Sequence, residues 1–230
     1  MGLCFFKRMI REGVEMDHNS YVFSLKGCGI LSWIEIGSSV HCRIRKAGFV
    51  NDLIVRNALV HFYSEKGQLD DAKVVFFESS VKDVVSWTSL IDGFVRKNLA
   101  DEALDLFGEM CSSGIEPNEV TMISLCSACS LKANLALARS VHELVLRKRV
   151  TCSLNLMNAL LDMYVKCGDL AKAEEIFGKM DAKDVFSWTS MITGDEKHPH
   201  ITAIWKVLND ICLLSSLEMS SSGQECYQDL

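Results

Sequence analysis

Apolar residues recur along this chain at helical spacing. Leu59 and Tyr63 stand at i, i+4 and share one face of a helix. Gly67 follows where a left-handed C-terminal cap would end that helix. Ala72, Val75 and Phe76 then supply the i, i+3, i+4 stripe of a second helix. The next stretch repeats the scheme through Ala103, Leu106, Phe107 and Met110, and Gly114 ends it. Strand-like alternation is scarce, and the only prolines are Pro117 and Pro199. The pattern predicts an all-α chain of short helix-turn-helix units.

The pattern is also periodic. Asn57-Ala-Leu recurs as Asn158-Ala-Leu, a shift of 101 residues. The same shift carries Tyr63 to Tyr164, Gly67 to Gly168, Ala72 to Ala173 and Phe76 to Phe177. It also carries Lys82-Asp83-Val84 to Lys183-Asp184-Val185, and Ser86-Trp-Thr-Ser89 to Ser187-Trp-Thr-Ser190. No gap is needed from Phe6 to Gly93. A period this long exceeds one helical hairpin, and its landmarks divide it into units of 31, 35 and 35 residues: 53–83 (short), 84–118 (standard) and 119–153 (long). Outside that cycle lie a partial unit at 1–17 (its second helix), a long unit at 18–52, a short unit at 154–184 and a partial unit at 185–194. In the unit at 18–52, about two residues look lost near Ser24, which predicts a shortened first helix. A small residue (Ala72, Ala103, Ala173) lets the two helices of a unit approach, and Phe76, Phe107 and Phe177 fill the space between units. No unit buries its apolar face alone, so stacking must supply the core.

Composition narrows the function. The 49% hydrophobic fraction fits a folded chain, as does the mean hydropathy of +0.15. Net charge is −6, which argues against a binder that relies on general attraction to phosphates. The ten cysteines are scattered through apolar stretches, and no secretory signal precedes them. They read as small buried hydrophobes of a reducing compartment. The apolar part of residues 1–10 is too short to cross a membrane, and it lacks the Arg- and Ser-rich character of an organellar leader.

Several signals resemble catalytic motifs without completing one. Cys126-Ser-Ala-Cys129 is a CxxC, but no second CxxC or spaced His pair accompanies it, and structural zinc needs four ligands. His142-Glu143 lacks the spacing of a zinc deaminase, and His41 occupies the equivalent place one period earlier. There is no Gly-rich phosphate loop or nucleophile elbow. Trp87 and Trp188 recur in register and read as packing residues. No catalytic residue, metal or cofactor is expected.

Ser-Trp-Thr-Ser, Glu102-Ala-Leu-Asp-Leu-Phe-Gly-Glu-Met110 and Gly114-Ile-Glu-Pro-Asn118 together resemble pentatricopeptide repeats. The cycle of short, standard and long units resembles the plant subfamily that alternates such lengths. Asn158-Ala-Leu-Leu-Asp-Met-Tyr-Val-Lys-Cys-Gly-Asp-Leu170 is similar to its short repeat, and Ser140-Val-His142 to its long one. The tetratricopeptide pattern fits less well, because its uniform period is absent. The resemblance implies a right-handed α-solenoid that binds single-stranded RNA, one base per repeat. It also implies that the fifth and last residues of a repeat read the base. The pairs are then Asn57/Asp83 and Asn158/Asp184, implied to favour uracil, and Thr88/Asn118, implied to favour adenine. The long unit offers Ile123 and Ser153, for which no rule follows. The implied preference is 5′-U-A-N-U-3′. Asp83, Asn118 and Asp184 also precede helices, where such residues are ordinary N-caps.

After Gly194, the run Asp195-Glu-Lys-His-Pro-His200 and the following residues resemble the C-terminal extension of editing members of that family. Residues 195–213 are therefore expected to be extension-like and helical, and the Ser-rich stretch 214–230 a disordered tail. The resemblance implies a specificity factor for C-to-U RNA editing in an organelle, mitochondrion before chloroplast. It also implies a deaminase-bearing partner, and no membrane or small-molecule substrate. Two other readings stay open: a protein-interaction scaffold of the tetratricopeptide kind, and a truncated member of the family with little RNA affinity.

Overall fold

The computed structural model of the protein describes residues 8–9, 11–148 and 153–195. Eleven helices are defined among them, all short. They are α1 (His18–Ile30), α2 (Ile34–Lys46), α3 (Leu53–Glu65), α4 (Leu69–Phe77), α5 (Val84–Arg96), α6 (Ala100–Ser112), α7 (Glu119–Lys132), α8 (Leu135–Arg147), α9 (Leu154–Lys166), α10 (Leu170–Lys179) and α11 (Val185–Asp195). A 3₁₀ turn, Phe49–Asn51, precedes α3. The described residues contain no strand. The extension-like segment after Asp195 and the tail 214–230 lie outside the described residues, as does most of the helix expected in 1–17.

The odd-numbered helices share one device at their start. The residue just before each is polar, and its side chain accepts a backbone N–H of the first turn. Asp17 accepts from Ser20, Asp52 from Ile54 and Val55, Asp83 from Ser86, Asn118 from Thr121, and Ser153 from Leu156. Asp184 accepts from Ser187. Each bond satisfies a donor that a helix N-terminus otherwise leaves orphaned. At the other end of α3 and α9, Gly67 and Gly168 adopt φ of +69° and +80°, a backbone that an L side chain strains to reach.

The odd-numbered helices pack on one another in sequence, α1 on α3, α3 on α5, and so on to α11. The even-numbered helices form a second layer, each packed on the helix before it. This is an α-solenoid. Its core falls into two clusters, one over the first units and one over the later ones, and Leu104 and Phe107 pack against both. Neighbouring helices come close where a Cβ is missing. A Cβ on Gly93 would stand 2.6 Å from Ser64 Cβ, and one on Gly194 would stand 2.6 Å from a methyl of Val165.

The 101-residue shift recurs in three dimensions. Phe76 meets Trp87 edge-on at 4.7 Å and 73°, and Phe177 meets Trp188 at 4.8 Å and 77°. His41 and Tyr63 meet edge-on at 5.6 Å, His142 and Tyr164 at 5.5 Å. Lys82 lies 5.2 Å above Phe76, and Lys183 lies 5.0 Å above Phe177. The first helix in 18–52, expected to be shortened by about two residues, is one residue shorter than its counterpart. Helix α1 has 13 residues against 14 in α7. Asp17 starts it fully, and the Ser24 hydroxyl bonds back to the Ser20 carbonyl, so the serine is absorbed into the helix.

Candidate nucleic-acid interface

The first turns of α3, α5, α7, α9 and α11 bring most of the expected reading residues together. The Asn57 amide donates through Nδ2 to both carboxylate oxygens of Asp83, at 3.1 and 3.0 Å. Asp83 Oδ1 at the same time accepts the Ser86 N–H at 2.9 Å, and Ser86 Oγ accepts the Asp83 N–H. One aspartate therefore caps α5 and fixes the asparagine of the preceding unit. Asn158 and Asp184 repeat the arrangement, at 3.2 and 3.1 Å. The cap thus falls on the same side chain expected to read a base. The backbone N–H of Ser187, with help from Asn158 and the Ser187 hydroxyl, holds the Asp184 carboxyl below its ordinary range.

In both pairs the amide orientation leaves an acceptor unused. Asn57 Oδ1 and Asn158 Oδ1 are buried and have no hydrogen-bond partner. Rotating the amide would not help, because it would set oxygen against carboxylate. A buried acceptor left unpaired is costly, and an incoming N–H would relieve that cost.

Thr88 and Asn118 do not meet directly. Thr121 stands between them: its hydroxyl is 2.7 Å from Thr88 Oγ1, and Asn118 Oδ1 accepts its N–H at 2.9 Å. Thr88 is 6% exposed, while Asn118 is exposed. In the long unit, Ile123 is half-buried, and Ser153 both caps α9 and donates to the Glu119 carboxylate.

Sequence reasoning missed Thr121, and it missed an apolar ridge. Ile54, Val85, Val120 and Phe186 are each the second residue of an odd-numbered helix, and each is about half exposed (56, 48, 56 and 52%). An apolar side chain in solvent at one register position of four units, with Asn155 in its place in α9, is the signal that could have found it. The two tryptophans differ despite their common motif: Trp87 is 3% exposed and Trp188 54%. Cys126 and Cys129 are wholly buried in α7, and burial pushes the Cys129 thiol up to about 12. They pack as small apolar residues.

A PPR repeat family model matches residues 82–130, and a PPR repeat model matches residues 156–185. The chain belongs to the pentatricopeptide-repeat family. Among curated pentatricopeptide-repeat proteins of Arabidopsis thaliana, At4g38010 is 40% identical over 189 residues, covering 82% of this chain and 33% of its own length. At1g59720, described as chloroplastic/mitochondrial, is 40% identical over 197 residues, covering 84% of this chain and 31% of its own length. This chain thus spans about a third of the length of these relatives. Among solved structures, the pentatricopeptide-repeat protein PPR10 in complex with an 18-nt psaJ RNA element aligns over 93% of this chain and 32% of its own. The TM-score is 0.69 and the identity 15%. The nuclear proteinaceous RNase P 2 of A. thaliana aligns over 77% of this chain and 41% of its own, with a TM-score of 0.58 and 14% identity. At these identities the likeness establishes the solenoid alone.

Proposed function

We propose that this array binds single-stranded RNA sequence-specifically, with Asn57/Asp83 and Asn158/Asp184 reading uracil and Thr88/Asn118 reading adenine. The observation that carries the reading is the orphaned amide oxygen of Asn57 and Asn158, held buried by a bidentate bond to the next aspartate. An amide oxygen selects a base that offers an N–H, and uracil offers N3–H. The apolar ridge of Ile54, Val85, Val120 and Phe186 supplies walls against which base faces can pack. The net charge of −6 fits this mode, since base contacts rather than phosphate contacts carry sequence information. The solved complex of PPR10 with an RNA element supports a nucleic-acid ligand for this fold.

The units 18–52, 53–83, 84–118, 119–153 and 154–184 serve as the long, short, standard, long and short repeats of a plant-type cycle. The array acts as a binding module without catalytic groups of its own. Its role is a specificity factor for RNA processing in an organelle, a location supported by chloroplastic and mitochondrial relatives. The resemblance of 195–213 to an editing extension favours C-to-U editing with a deaminase-bearing partner. Filter binding of short RNAs tests the readout: U-A-N-U should bind more tightly than A-U-N-A, and Thr88→Asn should weaken the adenine preference at the second position. Equal binding of both RNAs sinks the assignment.

A further inference from the structure

Arg56, in the first turn of α3, is 7% exposed. Among the described residues no carboxylate meets its guanidinium. Nε donates to the Val50 carbonyl at 3.2 Å, and Nη1 donates to the Val81 carbonyl at 3.3 Å. Neutral carbonyls satisfy those two donors and leave the charge uncompensated. A buried guanidinium is costly unless it is paired. Arg56 lines a cavity of about 300 Å³ between α2, α3 and α4. Leu59 and Val75, both buried, form its floor. Arg45, Asn51 and Glu78, all exposed, form its rim, and Arg45 Nη2 holds Glu78 Oε1 at 2.9 Å.

The chain carries its own comparison. A shift of 101 residues places Leu146, Met157 and Lys179 where Arg45, Arg56 and Glu78 stand. Met157 packs against the second core cluster. The solenoid therefore accommodates an apolar side chain at the Arg56 position, and stacking of the units does not require a guanidinium there. The first cycle instead places two arginines and one carboxylate around a cavity, a net charge of +1. That balance suits a single negative charge. The planar guanidinium suits two oxygens side by side.

We propose that this cavity binds a small oxyanion, a carboxylate or phosphate carried on a small molecule, with Arg56 as the buried grip. Arg45 swings from Glu78 to the bound anion. The occupied site ties α2, α3 and α4 together and so stabilises the junction between the first two complete units. The site is separate from the base-reading pairs, because neither Asn57 nor Asp83 lines the cavity.

The test uses the 230-residue chain, titrated with inorganic phosphate and with acetate at constant ionic strength against chloride. Calorimetry and thermal unfolding are the readouts. Wild type should show saturable binding and a rising midpoint with at least one of the two anions, and the preferred anion identifies the source. Arg56→Met, which installs the residue of the second cycle, should lose about tenfold or more in affinity. Glu78→Gln keeps the carbonyl bonds of Arg56 and frees Arg45, so it should bind several-fold more tightly. That variant stays informative even if Arg56→Met does not fold. Midpoints that follow chloride in both wild type and Glu78→Gln overturn the proposal, as does equal anion binding by wild type and a folded Arg56→Met.

Discussion

Gly37 of α2 faces Phe62 of α3 so closely that a Cβ on the glycine would lie 2.1 Å from Phe62 Cζ. It would also lie 2.5 and 2.8 Å from the two Cε atoms. Phe62 is 2% exposed and cannot swing into solvent without losing its burial. Gly37→Ala therefore forces overpacking, which costs about 1–3 kcal/mol. The alanine returns about 1 kcal/mol in helix propensity, so the net loss is about 0–2 kcal/mol. One period later the same two positions hold Ala138 and Met163, both 0% exposed. The solenoid thus contains a second solution to the same contact, a larger residue on one side and a slimmer one on the other. Phe62→Met alone should cost about 1 kcal/mol, as volume-conserving swaps do. The double variant Gly37→Ala/Phe62→Met should recover most of both losses, a coupling of about 1–2 kcal/mol. Urea denaturation of the four proteins, followed by far-UV circular dichroism, measures it as shifts in midpoint. Additive effects, or a Gly37→Ala variant more stable than wild type with Phe62 present, would refute the reasoning.

Other outcomes follow from the same contacts. Burial holds the imidazoles of His41 and His142 below their ordinary range, with Arg45 and Lys172 respectively adding to the effect. The unfolded chain takes up those protons first, so stability is complete above about pH 6.5. It should be lost as pH falls from there toward the folded-state values, read as a falling urea midpoint; a midpoint that rises on acidification contradicts this. Tyr164→Phe removes the phenol that His142 Nδ1 meets at 2.9 Å and should cost about 0.5–1.5 kcal/mol, measured by the same denaturation. Asp83→Ala removes the cap of α5 and should cost about 1 kcal/mol; it should also abolish the uracil preference at the first position in RNA binding. Alkylation followed by peptide mass mapping should modify the exposed Cys42 and Cys111 in the native protein. Cys28, Cys126 and Cys129, all buried, should react only after unfolding.

The all-α class was legible because periodicity repeats at 101 residues and the second copy checks the first. The starts of α5, α7 and α11 were legible from the polar residues Asp83, Asn118 and Asp184 ahead of them, of which Asp83 and Asn118 complete capping boxes with Ser86 and Thr121. The shortening expected near Ser24 amounts to one residue, because Asp17 fixes the start of α1 and the Ser24 hydroxyl bonds to the preceding turn within it. The link between Thr88 and Thr121 spans 33 residues and arises only when α5 and α7 stack, so no local pattern announces it. The unequal burial of Trp87 and Trp188 is likewise invisible in identical Ser-Trp-Thr-Ser motifs, because neighbouring helices decide it. The Arg56 cavity departs from the repeat instead of following it. A search for self-similarity passes over such positions.

Selection of bound sequences from a random RNA pool tests the central claim most directly, using the wild-type chain beside Thr88→Asn/Asn118→Asp. The account predicts that wild type enriches U-A-N-U and that the variant enriches U-U-N-U, with the other positions unchanged. No enrichment by wild type, or the same enriched sequence from both proteins, would contradict it.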